Sequence, residues 1–503
     1  MDNLEFSDPA NVQPPPSWAV GQISRSPDLD VLPGFQNPPA GFGVVPFYWW
    51  LGDPLTKERL SWQLDQLSDM GISGLQINYA HSDHGGISYG LTLPSDPELF
   101  SEDWWKLVAW FMEEAKKRGM AISLSDYTLG PGQGWCFDEV VRDNPEIAGI
   151  RLKLVRGEAP ADALVSTTVK GSDGKPETVS VCAEKVEMSF DPMNPLSGKE
   201  YAGKFFGKFE ERFPGECGRG LNFFFSDELA FGIRGNIWNS RFAEEFRRRK
   251  GYDIVPELPA LFMDTGPRTP KVRMDYSDVM VALTEENFWK PLFDWHQSRG
   301  MTMGCDHGGR GRDVVEFGDY FRTQRWNQGP GCDQPNLGKN IIKTKVASSI
   351  AHLYLRPRVW LEGFYASGWG TTAAGLADAT FANFVMGHNL LSLHGLYYST
   401  HGGWWEWAPP CNGFRMPYWK DMKGFMDCVG RLSYLLSQGH HRCDVAILYP
   451  VAAVEAGMDG EDAVKTAFDV AEKLYSGSVD FDFMDFESLA RAKVVGNELQ
   501  VSG

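Results

Sequence analysis

Two spacings of apolar residues alternate along most of this chain. The run Gly43-Val44-Val45-Pro46-Phe47-Tyr48-Trp49-Trp50 is short and almost wholly apolar, as in a buried strand that carries aromatics to its C-terminal end. Leu60, Leu64 and Leu67 then recur at helical spacing, with Thr56 placed to cap the helix and Gly71 to stop it. Ile72 to Asn78 reads as a second strand. Trp104, Leu107, Val108, Phe111 and Ala115 mark a helix from Ser101 to Gly119, and Met120 to Ser125 reads as a third strand. This alternation predicts parallel strands joined by crossover helices, in a barrel or a doubly wound sheet. No GxGxxG follows the first strand, which argues against a dinucleotide fold and indicates no organic cofactor.

Between about 140 and 190 the helical period disappears. Ile150–Val155, Leu164–Val169 and Val179–Met188 read as strands joined by turns such as Ser172-Asp173-Gly174, an inserted β-rich region. The α/β pattern resumes with a helix near 197–213 and strands at Leu221–Phe225, Met301–Cys305, Val359–Leu361 and Leu390–Leu396. So many parallel-type strands predict a distorted (β/α)8 TIM-type barrel over 41–440. Residues 1–40, rich in Pro, Asp, Ser and Asn, read as an extended arm. From 441 to 503 a new unit opens with Asp444–Pro450, a helix at about 461–475 and Val479–Phe483. It resembles the first half of a doubly wound α/β domain and predicts an incomplete unit, as in a truncated chain.

With 503 residues, 43% of them hydrophobic, there is material for a large core plus a smaller piece. The net charge of −18 is spread along the chain with no basic stripe, which disfavours nucleic acid and anionic membranes as partners and suits a neutral substrate. The cysteines at 136, 182, 217, 305, 332, 411, 428 and 443 form no CxxC pair and read as reduced thiols. The N-terminus has no charged n-region or apolar h-region, which predicts a cytoplasmic protein, or a secreted one whose signal has been removed. Nothing in the pattern speaks to the oligomeric state.

In a parallel barrel, functional side chains gather beyond the C-terminal ends of the strands. Those positions hold Trp49 and Trp50; His81, Asp83 and His84; Asp126 and Tyr127; Asp227 and Glu228; Asp306 and His307; Glu362; and His394. Recurrent carboxylates there suit glycosidic cleavage, in which one acid protonates the leaving oxygen and another activates water or attacks the anomeric carbon. Asn222-Phe223-Phe224-Phe225-Ser226-Asp227-Glu228 is the sharpest signal: an apolar strand closed by adjacent acids, only one of which can point inward. An acidic loop start or helix cap would look the same. Val359-Trp360-Leu361-Glu362-Gly363 repeats the pattern, with Arg358 or Lys345 as possible partners for the glutamate. Asp126 opens a glycine-rich loop, Gly130 to Trp135, which lacks the GK[ST] of a phosphate cradle and suits a substrate loop. Tryptophans at strand ends and in Trp404-Trp405-Glu406-Trp407 are candidates for stacking on sugar rings. His388, His394 and His401 lack zinc-ligand spacing, whereas mouth carboxylates could hold calcium.

Together these segments resemble glycoside hydrolase family 106, the α-L-rhamnosidases. The resemblance runs from about 43 to 450. It includes Pro46-Phe47-Tyr48-Trp49-Trp50-Leu51-Gly52, Met70-Gly71-Ile72-Ser73-Gly74, Phe225-Ser226-Asp227-Glu228, Gly251-Tyr252-Asp253, Pro330-Gly331-Cys332-Asp333, Lys345-Val346-Ala347-Ser348-Ser349 leading to Glu362, and Gly387-His388-Asn389. It implies an inverting, calcium-assisted glycosidase acting on terminal α-L-rhamnose or a related deoxysugar, with two glutamate catalysts. Glu228 is expected as general acid and Glu362 as the base, or the two with their roles exchanged, and Asp126 is a third catalytic candidate. Trp50, His81, Tyr127, Asp227, Asp306, His307, Asp333 and His394 are expected to bind the carbohydrate. The chain departs from the family pattern at Asp126-Tyr127, at Gly130-Pro131-Gly132 and at Gly304-Cys305-Asp306-His307. An alternative is a polysaccharide lyase cutting a rhamnosyl-glucuronate linkage, for which Tyr127 and His307 would matter most. A non-catalytic sugar-binding protein is a third reading.

Overall fold

The computed structural model describes residues 3–83, 90–129, 135–170, 174–403 and 409–501. His84, most of the glycine-rich loop after Leu129, the turn residues 172 and 173, the side chain of Tyr127 and the 404–407 tryptophan segment lie outside them.

Strands β1 (Phe47–Trp50), β2 (Gly74–Tyr79) and β3 (Ala121–Ser125) pair in parallel. The helices between them, Lys57–Asp69 and Glu102–Lys117, are capped by the hydroxyls of Thr56 and Ser101, which accept from the amides of Arg59 and Trp104. Their apolar faces and the outward residues Tyr48, Trp50, Leu75, Ile77, Ile122 and Leu124 form one buried layer. The β-rich insertion follows as β4 (Ala148–Arg156), β5 (Val165–Lys170) and β6 (Pro176–Phe190). After β7 (Leu221–Asp227), the short β8 (Ile237–Trp238) completes that antiparallel sheet in the order β5-β6-β4-β8.

β9 (Thr302–Asp306), β10 (Gly331–Gln334), β11 (Trp360–Gly363), β12 (Leu390–Leu393) and β13 (Leu396–Tyr397) continue the parallel system. They fall into two sheets, β13-β1-β2-β3-β7-β9 and β10-β11-β12, so the expected (β/α)8 barrel is realised as partial closure. Single backbone hydrogen bonds span the two gaps, Gly329 N–H to Met303 O and Val45 N–H to Leu391 O, each 3.0 Å. Trp360, fully buried, fills the space between the sheets. A Cβ on Gly304 would come within 2.5 Å of its indole nitrogen, and one on Gly331 within 2.5 Å of its ring, so both strands need glycine there. β10 was not evident from sequence. Its four residues, Gly-Cys-Asp-Gln, lack the branched and aromatic side chains that mark a strand.

The first 40 residues include short helices Asn3–Ser7 and Leu32–Gln36 and pack on the body, with the Phe6 ring 5.1 Å from that of Trp326. Past residue 443, β14 (Val445–Leu448) and β15 (Phe481–Met484) form a parallel pair joined through the helix Gly460–Ser476, followed by the small hairpin β16 (Lys493–Val495) and β17 (Glu498–Gln500). The pair shares a buried cluster with the helix Ile341–Leu353. Among the described residues no helix is long and apolar enough to cross a membrane, and Cys182, Cys217, Cys305, Cys332, Cys411, Cys428 and Cys443 are free thiols.

Candidate active site

Strand register assembles the acids. β7 runs to Asp227, and alternation gives Asp227 the parity of Phe223 and Phe225, which lie in the interior cluster with Trp360. β7 and β9 pair Asp227 with Asp306; β10 and β11 pair Asp333 with Glu362. Carboxylate oxygens of Asp227, Asp306 and Glu362 all lie within 4.8 Å of one another. Glu228 leaves the strand with a positive φ of 46°, and its amide donates to the carbonyl of Asp306 at 2.9 Å. Its side chain turns to the rim, 53% exposed.

Arg310 ties rim to floor. Its guanidinium lies 3.0 Å from Glu228, 3.1 Å from Asp306 and 2.5 Å from Asp333, whose Oδ1 also accepts from Lys343 Nζ at 2.7 Å. The loop that carries Arg310 is pinned by Glu316, whose two oxygens accept from the amide of Gly309 at 3.0 and 2.9 Å. Two cations cannot neutralise this many buried acids, and proton affinities rise accordingly. Burial first, then Asp227, Asp333 and Asp306, push the Glu362 carboxyl well above the usual range, against the pull of Arg310. Burial and the neighbouring Glu228 raise Asp227 to about 8, and burial raises Asp306 strongly despite Arg310. Asp126 is held at about 7 by burial alone; it sits beneath the surface and accepts from the Tyr201 hydroxyl at 3.1 Å.

Around the acids the interior is polar. Gln76, Asn78, Ser125, Ser392 and His394 are buried, and each keeps a side-chain atom without a hydrogen-bond partner among the described residues. Such groups suit a ligand rich in hydroxyls. His394 accepts from Trp49 Nε1 at 3.3 Å, and burial lowers its pKa to about 3, so it is a neutral acceptor. Asp227, Asp306, Asp333, Glu362 and His394 thus gather at one mouth, with Glu228 joined through Arg310.

Other expected contacts lie elsewhere. Trp50 points outward, its ring 4.8 Å from that of Phe111, because alternation turns Trp49 to the interior instead. His307 is fully buried among Trp289, Phe317 and Tyr320, 3.2 Å from the Thr323 hydroxyl, and is a packed core histidine. His81 is buried against Tyr79, with 4.6 Å between ring centroids. The cations expected beside Glu362 serve other groups. Lys345 pairs with Asp480 at 2.9 Å, and Arg358, which precedes β11 at the opposite strand end, donates to the carbonyl of Gly21 at 2.7 Å. Arg310, Lys343, Gln76 and Asn78 did not stand out in the sequence. A basic residue four positions after the Asp306 strand end was the available signal for Arg310.

The fold is shared with known glycosidases. A rhamnosidase from Novosphingobium sp. PP1Y superposes with a TM-score of 0.69 at 13% identity, over 94% of this chain and 66% of that one. A β-galactosidase from Bacillus circulans sp. alkalophilus gives 0.55 at 12% identity, over 89% and 66%. In sequence, a putative beta-glucuronidase of Formosa agariphila is 25% identical over 272 residues, which is 50% of this chain and 21% of that protein. The chain thus spans about two thirds of the solved relatives and aligns with a fifth of the curated one. The family model for α-L-rhamnosidases matches residues 168–501, and the chain belongs to glycoside hydrolase family 106.

Proposed function

We propose that this protein hydrolyses terminal α-L-rhamnose, or a related deoxysugar, from a glycan or glycoside. We read its two parallel sheets as a distorted (β/α)8 barrel with the active site at the strand ends. The observation that carries the proposal is the convergence of Asp227, Asp306, Asp333 and Glu362 at one mouth, with Arg310 joining them to Glu228.

Glu228, on the solvent-facing rim, is the group we assign to protonate the glycosidic oxygen as the aglycone departs. Glu362, on the enclosed floor, is assigned to take the proton of the attacking water, on the far side of the sugar as inversion requires. Gln76, Asn78, Ser392 and His394 offer the donors and acceptors that orient sugar hydroxyls. Three clustered carboxylate oxygens and the partnerless Oδ1 of Asp227 suit a hard divalent cation, calcium by preference, which would supply positive charge and hydroxyl anchoring at the floor.

The test is incubation with a panel of rhamnose-capped glycans, identification of the released sugar, and its anomeric form by NMR. Release of free rhamnose as the inverted anomer is expected. Appearance of an unsaturated uronate instead would replace hydrolysis by elimination. Saccharide binding without turnover would leave a sugar-binding protein.

A further inference from the structure

A cavity of about 320 Å³ lies at the strand ends opposite the mouth, between the N-terminal arm and the segments that open β9 and β11. Three arginines line it: Arg25 from the arm, and Arg356 and Arg358 from the segment before β11. Arg356 and Arg358 are only 7% and 4% exposed. All three donate to backbone carbonyls alone. Arg25 reaches Gly439 at 2.7 Å and Arg356 at 3.4 Å, and Arg358 reaches Gly21 at 2.7 Å, Pro357 at 3.0 Å and Gly41 at 3.4 Å. Arg356 donates its Nε to Arg325 at 2.7 Å, and both of its terminal nitrogens are without a hydrogen-bond partner among the described residues. Aromatic rings fix the guanidiniums in place, Phe293 4.4 Å from that of Arg356 and Phe42 4.2 Å from that of Arg358.

We propose that this cavity binds a small organic oxyanion, a phosphate monoester or a carboxylate, with the open fork of Arg356 as its anchor and Arg25 and Arg358 as further positive charge. A buried guanidinium is ordinarily balanced by a carboxylate. The chain has 66 acidic residues against 48 basic ones, yet among the described residues none forms an ion pair with any of these three arginines. Asp294, whose field reaches Arg356, is itself paired with Lys290 at 2.5 Å. Fastening the arm to the barrel accounts for Arg358, through Gly21 and Gly41, but it leaves the terminal nitrogens of Arg356 unused. Burial lowers the pKa of Arg356 and of Arg358 to about 9, with Arg325 adding to the effect at Arg356, so both stay charged at neutral pH. The planar fork of a guanidinium matches the paired oxygens of a carboxylate or phosphate. Val20, Ile23, Phe293 and Met301 also line the cavity and suit a compact apolar body attached to the anion. A bound anion would join the arm to the segment before β11 through charge, far from the acids of the mouth.

The experiment is calorimetric titration of the full chain at pH 7 and low ionic strength with phenyl phosphate, with benzoate, and with benzyl alcohol as the uncharged control. Saturable binding of one equivalent of phenyl phosphate or benzoate is expected, the tighter of the two identifying the anion, with no binding of benzyl alcohol. Arg356→Met removes the fork and should weaken anion binding by roughly 10- to 100-fold; Arg25→Gln should weaken it by about tenfold. Arg25→Gln, on the half-buried arm, keeps the test open should Arg356→Met fail to fold. No saturable binding of either anion by the folded chain, equal binding of benzyl alcohol, or affinity undiminished in every variant that folds overturns the site. Glycan hydrolysis is measured separately, so failure of the anion site and failure of the hydrolase reading stay distinguishable.

Discussion

Asp227 and Glu228 are covalent neighbours with opposite environments, and backbone geometry decides which does what. Asp227 continues the strand parity onto the floor, whereas the left-handed turn at Glu228 sends its carboxylate to the rim and to Arg310. Replacing Glu228 or Glu362 with Gln preserves size but abolishes proton transfer, and each should cost on the order of a hundred-fold or more in turnover. KM should move little, since the hydroxyl-binding groups survive. The two substitutions should differ in one respect. An aryl rhamnoside with a good leaving group needs no acid, so it should restore Glu228→Gln and leave Glu362→Gln impaired. Steady-state rates on both substrate types decide the matter, and near-native turnover by Glu362→Gln on any substrate would sink the assignment. Arg310→Met leaves Asp306 and Asp333 without their shared cation. Asp333 keeps Lys343 and Asp306 can take up a proton, so unfolding free energy should fall by about 1–3 kcal/mol, measured by urea denaturation.

At the scale of elements, β1 shows how much the pattern of apolar residues discloses. Phe47, Tyr48, Trp49 and Trp50 are all buried, so burial alone does not tell a core aromatic from a site aromatic. Their faces differ: Tyr48 and Trp50 meet the helix layer, while Phe47 and Trp49 meet the interior. Trp50→Ala should therefore cost about 3–5 kcal/mol of stability in urea unfolding. Trp49→Phe removes the hydrogen bond to His394 and a smaller part of the buried ring, about 1–2 kcal/mol, and should act mainly on activity. A reversed ranking would contradict this facing of the strand. The same ambiguity explains what sequence could and could not disclose. Strands and helices with strong periodicity, such as Ala121–Ser125 and Glu102–Lys117, were legible, as were the inserted sheet and the acids at strand ends. The weak strand Gly331–Gln334 was not, because its glycine answers to Trp360 across the sheets. Nor was the end of β7, where two further residues decide that Asp227 faces the floor. Lys345 and Arg358 looked like partners of Glu362 because they are near it in sequence, but their partners come from Asp480 and Gly21, far along the chain.

For the whole molecule, the crowded carboxyls link stability, pH and cation binding. Asp126, Asp227, Asp306 and Glu362 all have folded-state proton affinities raised by burial, so the folded chain holds more protons than the unfolded chain. Their contribution is complete below an unfolded carboxyl pKa of about 4. It is lost as the pH rises through about 7 for Asp126 and about 8 for Asp227. The net charge of −18 acts in the same direction, since self-repulsion grows as the acids ionise. Chelator-treated protein should therefore melt at lower temperature at pH 8 than at pH 5. A divalent cation held by Asp227, Asp306 and Glu362 binds the folded chain alone, and it competes with those protons. Calcium should raise Tm more at pH 8, where fewer protons must leave, than at pH 5. The same linkage reaches activity. A base must be ionised, and the raised proton affinity of Glu362 opposes this, so chelation should move the acidic limb of the rate profile upward and calcium should restore it. Asp306→Asn removes one of the three oxygens from the set and should flatten both calcium responses. A calcium effect on Tm that is independent of pH, or that persists undiminished in Asp306→Asn, would place the cation elsewhere and detach it from the chemistry of the mouth.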